Sequence, residues 1–190
     1  MTYRHVILDR DGVLNREAAG FVIEPSQFEW LPGALDALAL MRRSGLRLSV
    51  ATNQSGVGRG LMSLKQLTAV HERMLREASE YGGRLDALLV CPHAPDAGCS
   101  CRKPAPGLIE EAVARSGIAP AETLVVGDAE RDLEAAARAG VSAVLVRSGK
   151  GAKTEAALSD GRIRIYEDLL TLAGELTASV FPHTARRKTS

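Results

Sequence analysis

"HVILDRDGVLN", residues 5–15, begins as a strand and ends in a turn rich in carboxylates. Val6, Ile7 and Leu8 follow His5 as an unbroken apolar run, without the polar alternation of a half-exposed strand, so 5–8 is predicted to be buried on both faces. Four further runs read the same way: "LRLSVATN" (46–53), "LDALLVC" (85–91), "TLVVGD" (123–128) and "VSAVLV" (141–146). Segments of helical period separate them. Pro32 stands where a first helical turn would start, "GALDALALMRRS" follows, and Gly45 ends it. Ser63 with Gln66 fits a capping box that opens a helix closed by Gly82-Gly83. Two more helices, near 106–116 and 130–139, end at Gly117 and Gly140. Buried strands joined in turn by helices predict a doubly wound parallel α/β sheet with right-handed crossovers. We expect a single domain over residues 1–178 and a weakly basic, flexible tail over 179–190.

Composition narrows the partners. The chain has 190 residues, 45% of them hydrophobic, which is enough for one core. Its 24 Lys+Arg balance 23 Asp+Glu to a net charge of +1, so no nucleic-acid footprint is expected. No apolar run reaches the roughly 18 residues of a membrane span, and no leader-like stretch precedes the first strand. The expectation is a cytoplasmic monomer acting on a small molecule, without nucleic-acid or membrane partners.

In an open α/β sheet, ligands bind beyond the carboxyl ends of the strands. Four such ends carry chemistry: "DRDGVLN" with Asp9 and Asp11, "TNQSG" with Thr52, Asn53 and Gln54, "CRKP" with Arg102 and Lys103, and "GDAERD" with Asp128 and Asp132. Singly, each has a bland reading as a turn, a helix cap or a solvated face. Their joint occurrence at successive strand ends does not. Converging carboxylates repel unless a cation sits among them, and hard oxygen ligands beside a phosphate favour Mg²⁺. One carboxylate can then attack phosphorus while a second, two residues on, handles the leaving group's proton. Thr52, the turn amides and Lys103 would supply positive potential to a phosphoryl group in transfer.

All three cysteines, Cys91, Cys99 and Cys101, fall within eleven positions and enclose His93. An odd count argues against disulfides. Three thiolates and one imidazole complete a tetrahedral, closed Zn²⁺ site, predicted to be structural and to brace the loop that leads into Arg102 and Lys103. His5 begins a buried strand, His71 is expected to be a surface or packing residue, and His183 falls in the tail. No G-x-S-x-G elbow supports a serine hydrolase.

These strand-end motifs resemble those of the haloacid dehalogenase superfamily of phosphotransferases, and the resemblance covers nearly the whole chain. Within it, "ILDRDGVLN", "ATNQSGVGRG", "CSCRKPAPG" and "VGDAERDLEAA" look most like the heptose bisphosphate phosphatases. The histidinol-phosphate phosphatases share the zinc loop and the D-x-D pair and are the alternative. Ser55, "GVGRG" and "PAPG" favour the former. The resemblance implies Mg²⁺-dependent removal of the 7-phosphate of a sugar bisphosphate through an aspartyl-phosphate. Asp9 would be the nucleophile and Asp11 the general acid/base. Mg²⁺ would rest on the Asp9 carboxylate, the Asp11 backbone carbonyl and Asp128, with Asp132 supporting Lys103 or the metal's waters. Thr52, Asn53, Gln54, Arg102 and Lys103 would bind phosphate or substrate, and the implied pathway is nucleotide-activated heptose for surface polysaccharide. One departure is visible: relatives can carry a basic residue directly after the fourth-motif Asp, where this chain has Ala129 and then Glu130. That leaves the second phosphate's contacts, and so the anomer, open. A third reading, a catalytically idle zinc-bearing module that binds a ligand or partner, requires decayed catalytic positions, and none has decayed. No insertion is long enough for a large cap domain, so an open site is expected, with Phe21 and Trp30 assigned mainly to core packing.

Overall fold

The five predicted strands all form, and each pairs in parallel with its neighbours. The computed structural model describes residues 3–18, 20–158 and 161–178, so the expected tail at 179–190 lies outside the described residues. In chain order the elements are β1 His5–Leu8, α1 Ala34–Arg43, β2 Arg47–Asn53, α2 Leu64–Glu80, β3 Ala87–Cys91 and α3 Gly107–Ser116. They continue with β4 Thr123–Gly127, α4 Glu130–Arg138, β5 Ser142–Val146, α5 Gly151–Ala157, β6 Arg164–Tyr166 and α6 Leu169–Thr177. The sheet order is β3-β2-β1-β4-β5-β6. The chain winds outward from β1 to one edge, then returns beside β1 with β4 and winds to the other. The carboxyl ends of β1 and β4 therefore flank the crevice where the winding reverses.

Alternation along β1 shows why the sheet is covered on both faces. Val6 and Leu8 join a core with Leu38 and Met41 of α1, Val70 and Met74 of α2, and Leu172 of α6. Ile7 points the other way, among Leu108, Ile109 and Ala112 of α3 and Ala135 and Ala136 of α4. All four residues of β1 are fully buried, as the missing polar alternation requires.

The helix signals act largely as predicted. Ser63 Oγ accepts from the Gln66 N–H at 3.2 Å, and Gln66 Oε1 accepts from the Ser63 N–H at 2.9 Å, a complete capping box. α1 starts two residues after Pro32, because Gly33 caps it at φ 74. α5, β6 and α6 were not foreseen. β6 is a three-residue edge strand, too short to show a period, whereas α6 opens where Asp168 Oδ1 accepts from the Thr171 N–H at 2.7 Å. It buries Leu169, Leu172 and Ala173 on the side of α1.

Among the described residues, the β1–α1 connection contains one three-residue 3-10 turn, Pro25–Gln27, and no inserted domain. The rim of the sheet is left without a large cap. No helix among them is long and apolar enough to cross a membrane.

Candidate active site

Three strand ends bring one lysine and three carboxylates together in a nearly solvent-free space. Asp9, directly after β1, is 4% exposed, and Asp128 and Asp132, after β4, are fully buried. Lys103 reaches in from the loop after β3: its Nζ lies 3.0 Å from Asp9 Oδ1 and 2.6 Å from Asp132 Oδ1, and donates to the Ala51 carbonyl at 2.8 Å. The ammonium thus sits between two carboxylates at ion-pair distance. Burial alone would lower the Lys103 pKa, but Asp132 and Asp9 more than offset it and hold the ammonium charged.

Negative charge still exceeds positive. Burial pushes Asp9 up to about 6, with Lys103 and Arg131 opposing and Asp132 and Asp11 adding. Burial likewise pushes Asp128 up to about 7, opposed by the Lys150 N–H that donates to its Oδ2 at 2.8 Å. The other Asp128 oxygen, Oδ1, is buried without a hydrogen-bond partner. Oxygens of Asp9, Asp128 and Asp132 lie within 4.8 Å of one another. A buried, unpartnered carboxylate oxygen within a cluster of like charges is the donor chemistry that a hard divalent cation satisfies. These residues fit Mg²⁺.

Gly12 makes that approach possible. Its φ is +83°, and a Cβ built there would overlap Asp128 Oδ2. Gly12→Ala should therefore displace Asp128 and cost about 1–2 kcal/mol for the left-handed backbone alone. We expect activity at fixed Mg²⁺ to fall on the order of 10²-fold through misplacement. Thermal melting and the Mg²⁺ dependence of kcat/KM check both effects, and wild-type Mg²⁺ dependence in the variant would contradict the placement.

Asp11 faces a different environment. Its carboxylate accepts from Arg10 Nη2 at 2.8 and 3.0 Å, from Asn15 Nδ2 at 2.9 Å and from Gln54 Nε2 at 2.8 Å. Burial would raise its pKa, but the Arg10 charge and these bonds hold it below the usual carboxylate range. Gln54 also donates to Thr52 Oγ1 at 2.9 Å, so its amide bridges the first two motifs. Asn53 is engaged with the third: its Nδ2 donates to the Lys103 carbonyl at 2.9 Å and its Oδ1 accepts from the Lys103 N–H at 3.1 Å. Asp132, besides pairing with Lys103, accepts from the Ala129 N–H at 3.1 Å.

A cleft opens over Asp11, lined by Gln54, Ser55 and Phe21 with the cations Arg102, Arg131 and Lys150. Phe21 thus borders the site rather than serving only as packing, with the Arg59 guanidinium 5.8 Å from its ring centre. Trp30 does pack, edge-on to Phe28 at 5.0 Å, and donates to Glu77 Oε2. Arg131 was not singled out from the sequence. The basic residue absent at Ala129 is supplied two positions later, in the first turn of α4, and Arg131 Nη2 lies 3.8 Å from Asp9 Oδ2. The Arg next to Asp132 in "GDAERD", at the start of a helix that faces the strand ends, was the available signal. Of the two positions expected for His71, surface or packing, the structure shows the packed one. It is 6% exposed, and its Nε2 lies 3.0 Å from Arg10 Nη1.

The thiol loop forms a second cluster. Sγ of Cys91, Cys99 and Cys101 and Nδ1 of His93 all lie within 4.8 Å of one another, and the three cysteines are unbridged. The cluster could hold a metal ion, and three sulfurs with one nitrogen suit zinc. Cys91 ends β3, and its carbonyl accepts from the Gln54 N–H at 2.7 Å. Gly58 donates to the Pro92 carbonyl at 2.8 Å, which ties the loop to the "TNQSGVGRG" turn.

Residues 100–172 match the HAD-hydrolase-like family. The chain is 43% identical, over 90% of its length and 96% of the relative's, to D-glycero-beta-D-manno-heptose-1,7-bisphosphate 7-phosphatase of Bordetella bronchiseptica. It is also 43% identical to D-glycero-alpha-D-manno-heptose-1,7-bisphosphate 7-phosphatase of Mycobacterium tuberculosis, over 69% of this chain and 70% of that one. The crystal structure of D,D-heptose 1,7-bisphosphate phosphatase from B. bronchiseptica complexed with magnesium and phosphate superposes with a TM-score of 0.89. That comparison is at 42% identity and covers 93% of this chain and 99% of the other.

Proposed function

The chain belongs to the heptose 1,7-bisphosphate 7-phosphatases among the HAD-like hydrolases, and from this we propose that it removes the 7-phosphate of D-glycero-D-manno-heptose 1,7-bisphosphate with Mg²⁺. The observation that carries the reading is the unpartnered Asp128 Oδ1 beside an Asp9 carboxylate held 3.0 Å from the Lys103 ammonium. That arrangement offers one place for a cation and one nucleophile directed by a fixed positive charge.

Asp9 attacks phosphorus in line, and the bond from phosphorus to the sugar oxygen breaks as the aspartyl-phosphate forms. Asp11, which Arg10 holds ionised in the free site, must first take up a proton; it delivers that proton to the sugar oxygen and then takes one from the water that hydrolyses the aspartyl-phosphate. Thr52 and Lys103 hold the phosphoryl oxygens, and Asn53 acts by fixing the Lys103 backbone. Mg²⁺, held by the Asp9 carboxylate, the Asp11 carbonyl and Asp128, would neutralise charge on the phosphoryl group. Asp132 keeps Lys103 charged and aimed. Arg102, at the cleft, holds substrate. The thiol cluster binds a structural Zn²⁺ that braces the loop carrying Arg102 and Lys103.

The test is phosphate release with Mg²⁺ from the α- and β-anomers of the bisphosphate and from histidinol phosphate. We expect loss of the 7-phosphate alone. We also expect preference for the β-anomer, because the relative named for it aligns over 90% of this chain and the one named for the α-anomer over 69%. Faster turnover of histidinol phosphate would overturn the substrate assignment while leaving the chemistry in place.

A further inference from the structure

Arg10 is the largest of the fully buried side chains, at 1% exposure, and the reaction as described gives it no part. A buried guanidinium is costly unless its N–H groups are matched. Here its Nε and Nη2 fork onto Asp11, at 3.3 Å to Oδ1 and at 2.8 and 3.0 Å to the two oxygens, while Nη1 lies 3.0 Å from His71 Nε2. A guanidinium has no acceptor, so His71 Nε2 must accept and its ring proton resides on Nδ1. Burial, and then the Arg10 charge, push the His71 pKa down to about 4, which keeps the ring neutral as that bond requires. His71 stands on α2 among Leu67, Val70 and Met74, a helix whose cap and core contacts fix it.

We propose that Arg10 and His71 are positioning residues, His71 holding the Arg10 guanidinium and Arg10 holding the Asp11 carboxylate where it meets the leaving oxygen. The inference rests on the acid/base role proposed above for Asp11. The planar fork fixes both carboxylate oxygens at once, which a lysine could not do. Asn15 and Gln54 restrain the same group from other sides. Neither Arg10 nor His71 touches the sugar or the transferred phosphoryl group in this scheme. Their effect passes through Asp11.

The leaving group separates this role from a general structural one. A sugar alkoxide must be protonated as it departs, whereas nitrophenolate leaves without help. In Arg10→Met, kcat/KM for heptose 1,7-bisphosphate should fall on the order of 10²-fold, but for p-nitrophenyl phosphate by less than about fivefold. Asp11→Asn should show the same split, and the double variant should be no worse than Asp11→Asn alone. His71→Leu should lose about tenfold on the sugar substrate only, and His71→Gln, whose amide oxygen can accept from Arg10, should recover most of it. Should Arg10→Met fail to fold, the two His71 variants decide the question. Equal losses on both esters, additive losses in the double variant, or no recovery with Gln would overturn the positioning role. Absence of the split in Asp11→Asn itself would remove the underlying reading of Asp11 as acid, and the inference with it.

Discussion

Asp9→Asn should lower turnover of the sugar bisphosphate by at least about 10⁴-fold while the protein melts at or slightly above the wild-type temperature in metal-free buffer. The loss follows from chemistry: an amide cannot attack phosphorus to give an aspartyl-phosphate. Retained stability follows from the electrostatics of the cluster. Asp9, Asp128 and Asp132 crowd three carboxylates within 4.8 Å around one lysine, and burial pushes Asp9 up to about 6. Removing one negative charge relieves repulsion that only a cation otherwise relieves. Lys103 keeps Asp132 at 2.6 Å and the Ala51 carbonyl, so it is not left unpaired. The Arg10 N–H that donates to Asp9 Oδ1 at 2.7 Å can donate equally to an asparagine oxygen. The measurement is steady-state phosphate release beside thermal melting in EDTA. Turnover within tenfold of wild type would remove Asp9 as nucleophile, and a large drop in melting temperature would show that its carboxylate mainly holds the fold together.

Much of this site could be read before the fold was known, for a physical reason. The central strands are mostly apolar, so the polar residues at and just beyond their carboxyl ends mark the rim, and the rule that ligands collect there does the rest. What escaped depends on three-dimensional docking. Arg10 lies between the two motif carboxylates, two residues beyond β1, and only the turn into Gly12 and the placement of α2 send its side chain inward to His71. His71 carried a signal nonetheless: Leu67, Val70, His71, Met74 and Ala78 trace one buried stripe at helical spacing. A histidine on such a stripe needs a partner, and Arg10 is that partner. Arg131 was hidden for a similar reason. Its neighbour Asp132 faces the strand ends, and only the first-turn geometry of α4 shows that both do. β6 and α5 are short, at three and seven residues, which leaves periodicity little to act on.

Loss of one thiol ligand should affect stability and catalysis together, although the thiol cluster touches no reacting atom. In Cys99→Ser under reducing conditions, we expect bound zinc to fall from one per chain to near none. A metal that ties Cys91 to Cys101 closes a loop, and releasing a closure of that length gives back about 3 kcal/mol of chain entropy. For a domain of this size, that lowers the melting temperature by about 6–12 °C. The rest of the fold should survive, since both cores lie mainly outside the loop. Catalysis is coupled through chain connectivity: Lys103 follows Cys101 by two residues, and its ammonium must stay 3.0 Å from Asp9 Oδ1. The Asn53 bridge to the Lys103 backbone holds one end of the loop, so placement should loosen rather than vanish. A displacement near 1 Å costs on the order of 10²-fold in kcat/KM, which sets the expected loss at about 10–100-fold. Chelation of the wild-type protein should reproduce both effects, and added zinc should reverse them in wild type but not in the variant. Full activity in protein shown to lack zinc would separate the cluster from the phosphate site. A fall in melting temperature with unchanged kcat/KM would confine the metal to the loop and leave Asn53 as sufficient support for Lys103.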